Sequence, residues 1–486
     1  MMEALRGLGY STSAALADIV DNSISADASE VRIDFAWDCL GSRVSVLDNG
    51  KGMDDAALES AMRLGEKSPL DERAPQDLGR FGLGLKTASF SQCRRLTVAS
   101  KKWKSMLCCL RWDLDALAAR PDDGWLLFEG AAVGSEQFLS PLGGVQSGTL
   151  VLWESLDRIV TAGFTADHFV DLIDTVEKQL AMIFHRLLQG PGARLQLYLN
   201  GRSVAPWDPF MIGHPAKLWN SPVERKTTTT GLVEIECHVL PHRDRLTPDE
   251  HDDAGGPEGW TAQQGFYVYR NERLLLAGGW LGLGQGRAWN REEAHRLARI
   301  RLDIPNTADA DWKIDIRKST ARIPVALRPW LTRLAEDTRE RARRVFAFRG
   351  LPTLGPKGAP VEQAWRADRS KTGMRYRIDD RHPAVAAALE AAGAALPLVK
   401  AMLRVVEETV PVQRIWLDTA ENKETPRGGF AGEPPESVRE VLVTLYEDML
   451  GRRGMSPALA KRTLSTTDPF QNYLSLVSSL PESASD

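Results

Sequence analysis

Residues 15–29 read ALADIVDNSISADAS. On a helix of about 3.6 residues per turn, Leu16, Ile19, Val20 and Ile24 form one apolar arc, and Asp18, Asp21, Asn22 and Ser25 lie on the opposite arc. Thr12-Ser13 just upstream can cap such a helix. Asp18 and Asn22, four residues apart, stand one turn above each other and can face one ligand. A carboxylate that positions water and an amide oxygen that ligates Mg²⁺ need this kind of placement. The alternative is a solvated polar face.

Working outward, Val31, Ile33 and Phe35 alternate as a strand does, and Val44 and Val46 begin a second strand that ends at Asp48. Asp48-Asn49-Gly50-Lys51-Gly52-Met53 follows directly. Its glycines let the backbone turn sharply and approach a flat ligand, with Asp48 accepting from an exocyclic amine and Met53 packing on a ring face. Asp-Asn-Gly is also strong turn chemistry, so a plain β-turn is the competing reading. Next comes Gly79-Arg80-Phe81-Gly82-Leu83-Gly84-Leu85-Lys86-Thr87. Closely spaced glycines before a helix expose N–H groups suited to phosphate, and Lys86 adds a positive charge. The segment is neither a GxGxxG nor a P-loop pattern. Ser147-Gly148-Thr149 opens a further strand. Other strands are expected at Arg95–Ala99, Met106–Trp112 and Thr149–Trp153.

These four pieces, in this order, resemble the motif set of the GHKL ATPases, a superfamily that includes DNA gyrase B subunits, ninety-kilodalton heat-shock chaperones, histidine kinases and MutL mismatch-repair proteins. The resemblance implies a Bergerat fold, a mixed sheet with helices on one face and ATP between. It implies that Asp48, with Gly50, Gly52, Met53 and Thr149, forms the adenine site, and that Asn22 holds Mg²⁺ against the phosphates. Gly79, Gly82, Leu83, Gly84, Leu85 and Lys86 would form the lid. Asp18 takes the position of the residue that polarises the attacking water. Relatives that hydrolyse ATP usually carry Glu there, and an aspartate is one methylene shorter, so slow turnover, or binding with little hydrolysis, follows. Ser25 stands where several relatives have Asp.

The wording LADIVDNSISA, AMRLGEKS, RFGLGLKTASF and GTLVLWESLD is most similar to the MORC-like branch, including bacterial members. The likeness extends to GFYVYRNERLLL and DWKIDIRKSTARIP, where such proteins carry a transducer domain. A transducer lysine reaching the γ-phosphate is implied; Lys318 is the candidate, with Arg317 and Lys313 as neighbours, against an ordinary surface lysine. The MORC-like or MutL-like resemblance further implies an ATP-gated homodimeric clamp acting on DNA, in an anti-phage or restriction-like setting. A chaperone-like ATPase with a protein client is the second class. A histidine kinase is set aside, because too few residues precede the first motif helix for a phospho-acceptor helical pair. A type II topoisomerase is set aside because no cleavage-tyrosine domain or acidic metal cluster is recognisable later in the chain.

Composition agrees with a multi-domain globular α+β protein. The 486 residues suit two to four domains, and 43% hydrophobic and 26% charged residues argue against disorder. The net charge of −4 argues against a generally basic nucleic-acid binder. Residues 287–349 nonetheless hold sixteen Lys and Arg against nine Asp and Glu, a possible DNA-facing segment or an Arg-rich helix with local ion pairs. The five cysteines form no CxxC pair and the eight histidines no HExxH, which points to a reducing compartment without zinc. No membrane span or signal segment is visible, so the expected location is cytoplasmic. The expected domains are 1–190 for ATP binding, 191–350 as an α/β transducer, and 351–486, mainly helical and of unassigned role, with dimerisation and recruitment of a protein partner both open. Residues 164–190 show helical periodicity ending at Gly190, Arg243–Gly259 reads as a long loop, and Trp330–Phe346 as a basic helix.

Overall fold

The computed structural model describes residues 6–7, 9–63, 84–119, 126–190, 193–314, 321–347, 361–370, 373–415 and 436–482. They divide into two compact units, Met1–Pro241 with Leu246–Arg343, and His242–Arg245 with Arg344–Asp486.

The first unit opens with helix α1 (Thr12–Ser25), strands β1 (Glu30–Ala36) and β2 (Arg43–Asp48), and helices α2 (Asp55–Met62) and α3 (Gly84–Phe90). Strands β3 (Arg95–Lys101) and β4 (Cys108–Asp113), helix α4 (Leu114–Ala118), and strands β5 (Phe128–Glu129) and β6 (Gly148–Glu154) follow. Helices α5 (Ala166–Ile183) and α6 (His185–Leu188) lead to β7 (Gln196–Leu199) and β8 (Arg202–Ser203). The eight strands form one mixed sheet in the order β5-β4-β3-β6-β2-β1-β7-β8, in which only β1 and β7 run parallel. The sheet thus continues past Gly190, because β7 pairs with β1.

One face of this sheet carries the core. Leu16, Ile19 and Val20 of α1 pack with Ile33, Val46, Val98 and Val151 from the strands and Phe169, Val176 and Leu180 from α5. Burying each such side chain contributes about 1.5–3 kcal/mol, so the apolar arc fixes which face of α1 remains for chemistry. The cap of α1 is Ser11, one residue before the expected pair. Its side chain accepts from the Ala14 N–H, while Thr12 donates its hydroxyl to Gln92. The other sheet face is covered around Leu47, Ala99, Leu150 and Leu152 by the 3-10 segment Glu136–Gly144.

The second sheet of this unit contains β9 (Trp219–Asn220), β10 (Glu224–Thr228), β11 (Gly231–Val239), β12 (Gly265–Arg270), β13 (Arg273–Ala277) and β14 (Ala298–Asp303). Its order is β10-β11-β14-β12-β13, with β9 on β11. Between β11 and β12 the stretch expected to be a loop contains helix α7 (Pro248–Gly255). A capping box supports it, Thr247 and Glu250 exchanging side-chain to backbone bonds with proline in the first turn. The helix is polar almost throughout, which hid it from periodicity. Helices α8 (Asp309–Trp312) and α9 (Arg328–Ala347) complete the chain order here. Met182, from the end of α5, packs with Phe210, Tyr267, Tyr269 and Leu274, so the helix that covers the first sheet also seats the second.

The C-terminal unit holds a hairpin, β15 (Trp365–Ser370) and β16 (Gly373–Ile378), that sequence periodicity did not suggest. Around it are helices α10 (Pro383–Ala391), α11 (Leu396–Glu408), α12 (Glu436–Gly451), α13 (Pro457–Leu464) and α14 (Leu474–Ser478). Val438, Leu442, Leu445, Tyr446 and Met449 of α12 face Leu464, Phe470 and Val477 in its core. No single helix among the described residues is long and apolar enough to cross a membrane.

Candidate nucleotide site

Asp48 stands at the end of β2, where the strand gives way to the turn. Its carboxylate is buried and accepts three hydrogen bonds. Oδ1 takes the Gly50 N–H at 2.9 Å and the Thr149 N–H at 3.1 Å, and Oδ2 takes the Ser23 hydroxyl at 2.9 Å. Burial raises its pKa above the ordinary aspartate value, and the three donors partly oppose that shift. Ser23 comes from α1 and Thr149 from β6, so one side chain ties together three elements that are distant in sequence.

The backbone around Asp48 requires glycine at two places. Gly52 has φ +65°, and a Cβ there would lie 1.9 Å from the Lys101 carbonyl oxygen. Gly148 has φ +153°, and its Cβ would lie 2.0 Å from the carbonyl oxygen of Asp48. Main chain meets main chain at both points, which shapes a closely walled floor. Met53 is half-buried, and its N–H donates to Ser100 Oγ at 2.9 Å. Ser100 in turn bonds the Gly148 carbonyl and lies 2.9 Å from Thr149 Oγ1. Asp48, Met53 and Thr149 are therefore joined by one hydrogen-bonded frame, and Gly52 packs main chain to main chain beside it. Gly50 belongs to it through Asp48, whereas Asn49 serves the turn itself, accepting from the Ser29 and Glu30 N–H groups at 2.9 Å each.

The polar arc of α1 divides in two. Asn22 is exposed. Asp18 is 7% exposed and Asp21 1%. Tyr10 donates its hydroxyl to Asp18 Oδ2 at 3.2 Å, and Tyr10 is held in turn by Gln92, whose amide donates to the Tyr10 carbonyl. Asp21 faces Arg273, the first residue of β13. Arg273 Nε lies 3.2 Å from Asp21 Oδ1 and Nη2 lies 3.1 Å from Oδ2, a two-point pair. The same Nη2 is 3.9 Å from Asp18 Oδ1. Removing one partner of so buried a pair typically costs about 3–5 kcal/mol.

Lys86 is 2% exposed, and its ammonium donates to the carbonyls of Ala61 at 3.0 Å and Arg63 at 2.5 Å. It therefore closes the C-terminal end of α2, whose last carbonyls lack helical partners. Gly84 and Leu85 begin α3, and Leu85 packs against the core. Gly79, Gly82, Leu83, Arg317 and Lys318 lie outside the described residues. Lys313 is described, with a left-handed φ of +47°. Sequence reading did not single out Tyr10, Ser23, Ser100 or Arg273. Arg273 sits inside GFYVYRNERLLL, but a basic residue opening a strand gives no local sign of a buried carboxylate partner 252 positions away.

Among the described residues no group of three or more His, Cys, Asp or Glu side chains could hold a metal. A magnesium ion at Asn22 would need most of its oxygen ligands from phosphates and water, the usual arrangement for that ion in phosphate sites.

Residues 10–138 match the family described as histidine kinase-, DNA gyrase B-, and HSP90-like ATPase. This stretch is a GHKL-type, ATP-binding ATPase domain, and it spans α1, β2, the Asp48 turn and Lys86. No curated protein matches the chain.

Proposed function

We propose that the chain is a slow ATPase that uses the Asp48 frame to hold adenine and uses hydrolysis to drive a conformational cycle. The observation that carries this reading is the Asp48 network, in which Asp48 and Ser23 lie within the residues that match the ATPase family and Ser23, from the buried side of α1, ties that helix to Asp48. Asp48 accepts from the adenine amine, Met53 lies on the ring, and Gly52 and Thr149 complete the base site. Asn22 would hold Mg²⁺, which when bound would neutralise charge on the phosphates. Asp18 takes a proton from water as its oxygen bonds to the γ-phosphorus and the bond to ADP breaks, leaving phosphate. We assign Gly79 and Gly82 to the phosphates and Lys318 to the γ-phosphate, residues that lie outside the described ones, while Lys86 braces the end of α2.

DNA is the client we favour, engaged by an ATP-gated pair of chains in an anti-phage or restriction-like setting. The charge available is smaller than the 287–349 count suggests. Arg296 pairs with Glu293, Arg299 is fully buried, Arg301 pairs with Glu236, and Arg339 stacks over Trp280 and Trp289. Arg287, Arg291, Arg322 and Arg343 remain exposed for phosphate contacts.

Phosphate release from Mg-ATP, with and without plasmid DNA, tests both parts, with Asp18→Ala and Asn22→Ala alongside. Slow turnover, absent in both variants and faster with DNA at low salt, is expected. Turnover unaffected by DNA at any salt would leave a protein client. Failure to bind ATP would overturn the reading.

A further inference from the structure

Arg273 reaches from the second sheet onto the helix that carries the proposed base. The hairpin between β12 and β13 turns through Asn271 and Glu272, both with positive φ, at +49° and +67°. A two-residue turn with both central residues left-handed matches the twist of paired strands. Asn tolerates that conformation readily and Glu poorly, so some strain is held at the residue just before Arg273. Glu272 is anchored by Arg194 at 2.7 Å. The turn therefore fixes where β13 starts, and with it the origin of the Arg273 side chain.

Each nitrogen of the guanidinium has an assigned neighbour. Nε and Nη2 engage Asp21, Nη1 donates to the Leu274 carbonyl at 2.7 Å, and Nη2 stands 3.9 Å from Asp18. Phe184, fully buried, lies 5.9 Å from the guanidinium carbon. The group cannot rotate without breaking several of these contacts together. Asp18 is then approached on one oxygen by the Tyr10 hydroxyl and on the other by this fixed cation. One positive charge standing beside two carboxylates a turn apart also offsets their mutual repulsion.

We propose that Arg273 is a positioning residue for ATP hydrolysis: by clamping Asp21 it fixes the roll of α1 and the aim of Asp18, so that turnover requires the second sheet to be docked. This rests on the ATPase reading above. Arg273 acts through α1 and not on the nucleotide, so its loss should lower kcat while leaving KM for ATP in place. A base displaced by about 1 Å can cost on the order of 10²-fold in rate.

The test compares wild type, Arg273→Met, Arg273→Lys and the double variant Asp21→Asn with Arg273→Met, measuring equilibrium ATP binding, steady-state kcat and KM, and thermal unfolding. The single Met variant takes a two-point partner from a buried carboxylate and can lose stability for that reason alone. The double variant removes both charges and so separates folding from rate. Expected are a kcat drop of about 10²-fold with unchanged KM in the double variant, even where its melting temperature recovers, and partial rescue in Arg273→Lys, a point charge without the two-point geometry. Recovery of wild-type kcat together with stability in the double variant would overturn the proposal, as would a parallel rise in KM. If wild type itself does not bind ATP, the ATPase reading fails first, and that result is distinct from the others.

Discussion

Replacing Asp48 with Asn changes one atom of the base site and leaves its frame standing. The amide oxygen, placed where Oδ1 is now, keeps the Gly50 and Thr149 N–H bonds at 2.9 and 3.1 Å. The amide nitrogen then takes the Oδ2 position and donates to Ser23 Oγ. The Ser23 proton is free to turn toward the Ile19 carbonyl, 3.4 Å away. Every hydrogen bond survives or is replaced, and burial of a charge that already raises the Asp48 pKa is relieved. Unfolding stability should therefore change by no more than about 1 kcal/mol. Binding is different, because the adenine amine now meets a donor. Loss of a hydrogen bond to a charged group costs about 1.5–3 kcal/mol, a factor of roughly 10–150 in Kd. Inosine triphosphate, which presents a carbonyl in place of that amine, should bind wild type poorly and lose much less, or gain, in the variant. Equilibrium titration of both nucleotides against both proteins reads this directly. An equal loss for the two nucleotides, or no loss for ATP, would show that Asp48 does not read the base.

Two further outcomes concern the frame. Lys86→Gln should lower the stability of the nucleotide-free chain by about 1–3 kcal/mol in chemical denaturation, since it leaves the Ala61 and Arg63 carbonyls short of a buried donor; a lysine serving phosphate alone would leave that stability unchanged. His185 and His238 are held neutral, with pKa values lowered to about 3 by burial and then by nearby cations, Arg186 for the first and Lys217 with Arg301 for the second. The unfolded chain takes up protons below about pH 6.5 that these folded sites refuse. Their stabilising contribution is thus complete above that pH and is lost as pH falls toward 3, at up to about 1.4 kcal/mol per pH unit for each. Urea midpoints between pH 7 and 5 should show the slope, and His238→Gln should remove about one proton's worth of it.

What the sequence disclosed was what local spacing controls. The arc of Leu16, Ile19 and Val20, the alternation in β1 and β2, and the glycines after Asp48 each depend on neighbours within a few residues, and their elements lie where periodicity puts them. What stayed hidden depends on pairing at long range. Ser23 reads as one more small residue among the apolar positions of α1 until β2 brings Asp48 to it, and Ser100 reads as a strand serine until Thr149 arrives across β6. Asp21 looked equivalent to Asp18 and Asn22 because a helical wheel assigns direction but not partner. The structure gives Asp21 to Arg273 and leaves Asn22 exposed. Lys86 shows the same limit: a lysine after a glycine-rich segment suggests phosphate, yet its described neighbours are carbonyls at the end of α2.

The division of the α1 polar face also bears on which kinetic constant a loosened helix changes. Asp21 and Asn22 are successive residues of one rigid helix, the first held by β13 and the second, on the reading proposed above, by a phosphate-bound metal. A roll of α1 that improves one contact shifts the other, since neighbouring side chains differ by a fixed angle around the axis. The exposed Asn22 side chain and a hydrated ion can follow a small roll, whereas the buried Asp18 cannot, so a loosened clamp lowers kcat and holds KM. The aspartate at position 18 sharpens this dependence. A carboxylate one methylene shorter than glutamate has less reach with which to absorb a misplaced helix, so hydrolysis by this chain should be more sensitive to the Arg273 clamp than it would be with Glu at position 18.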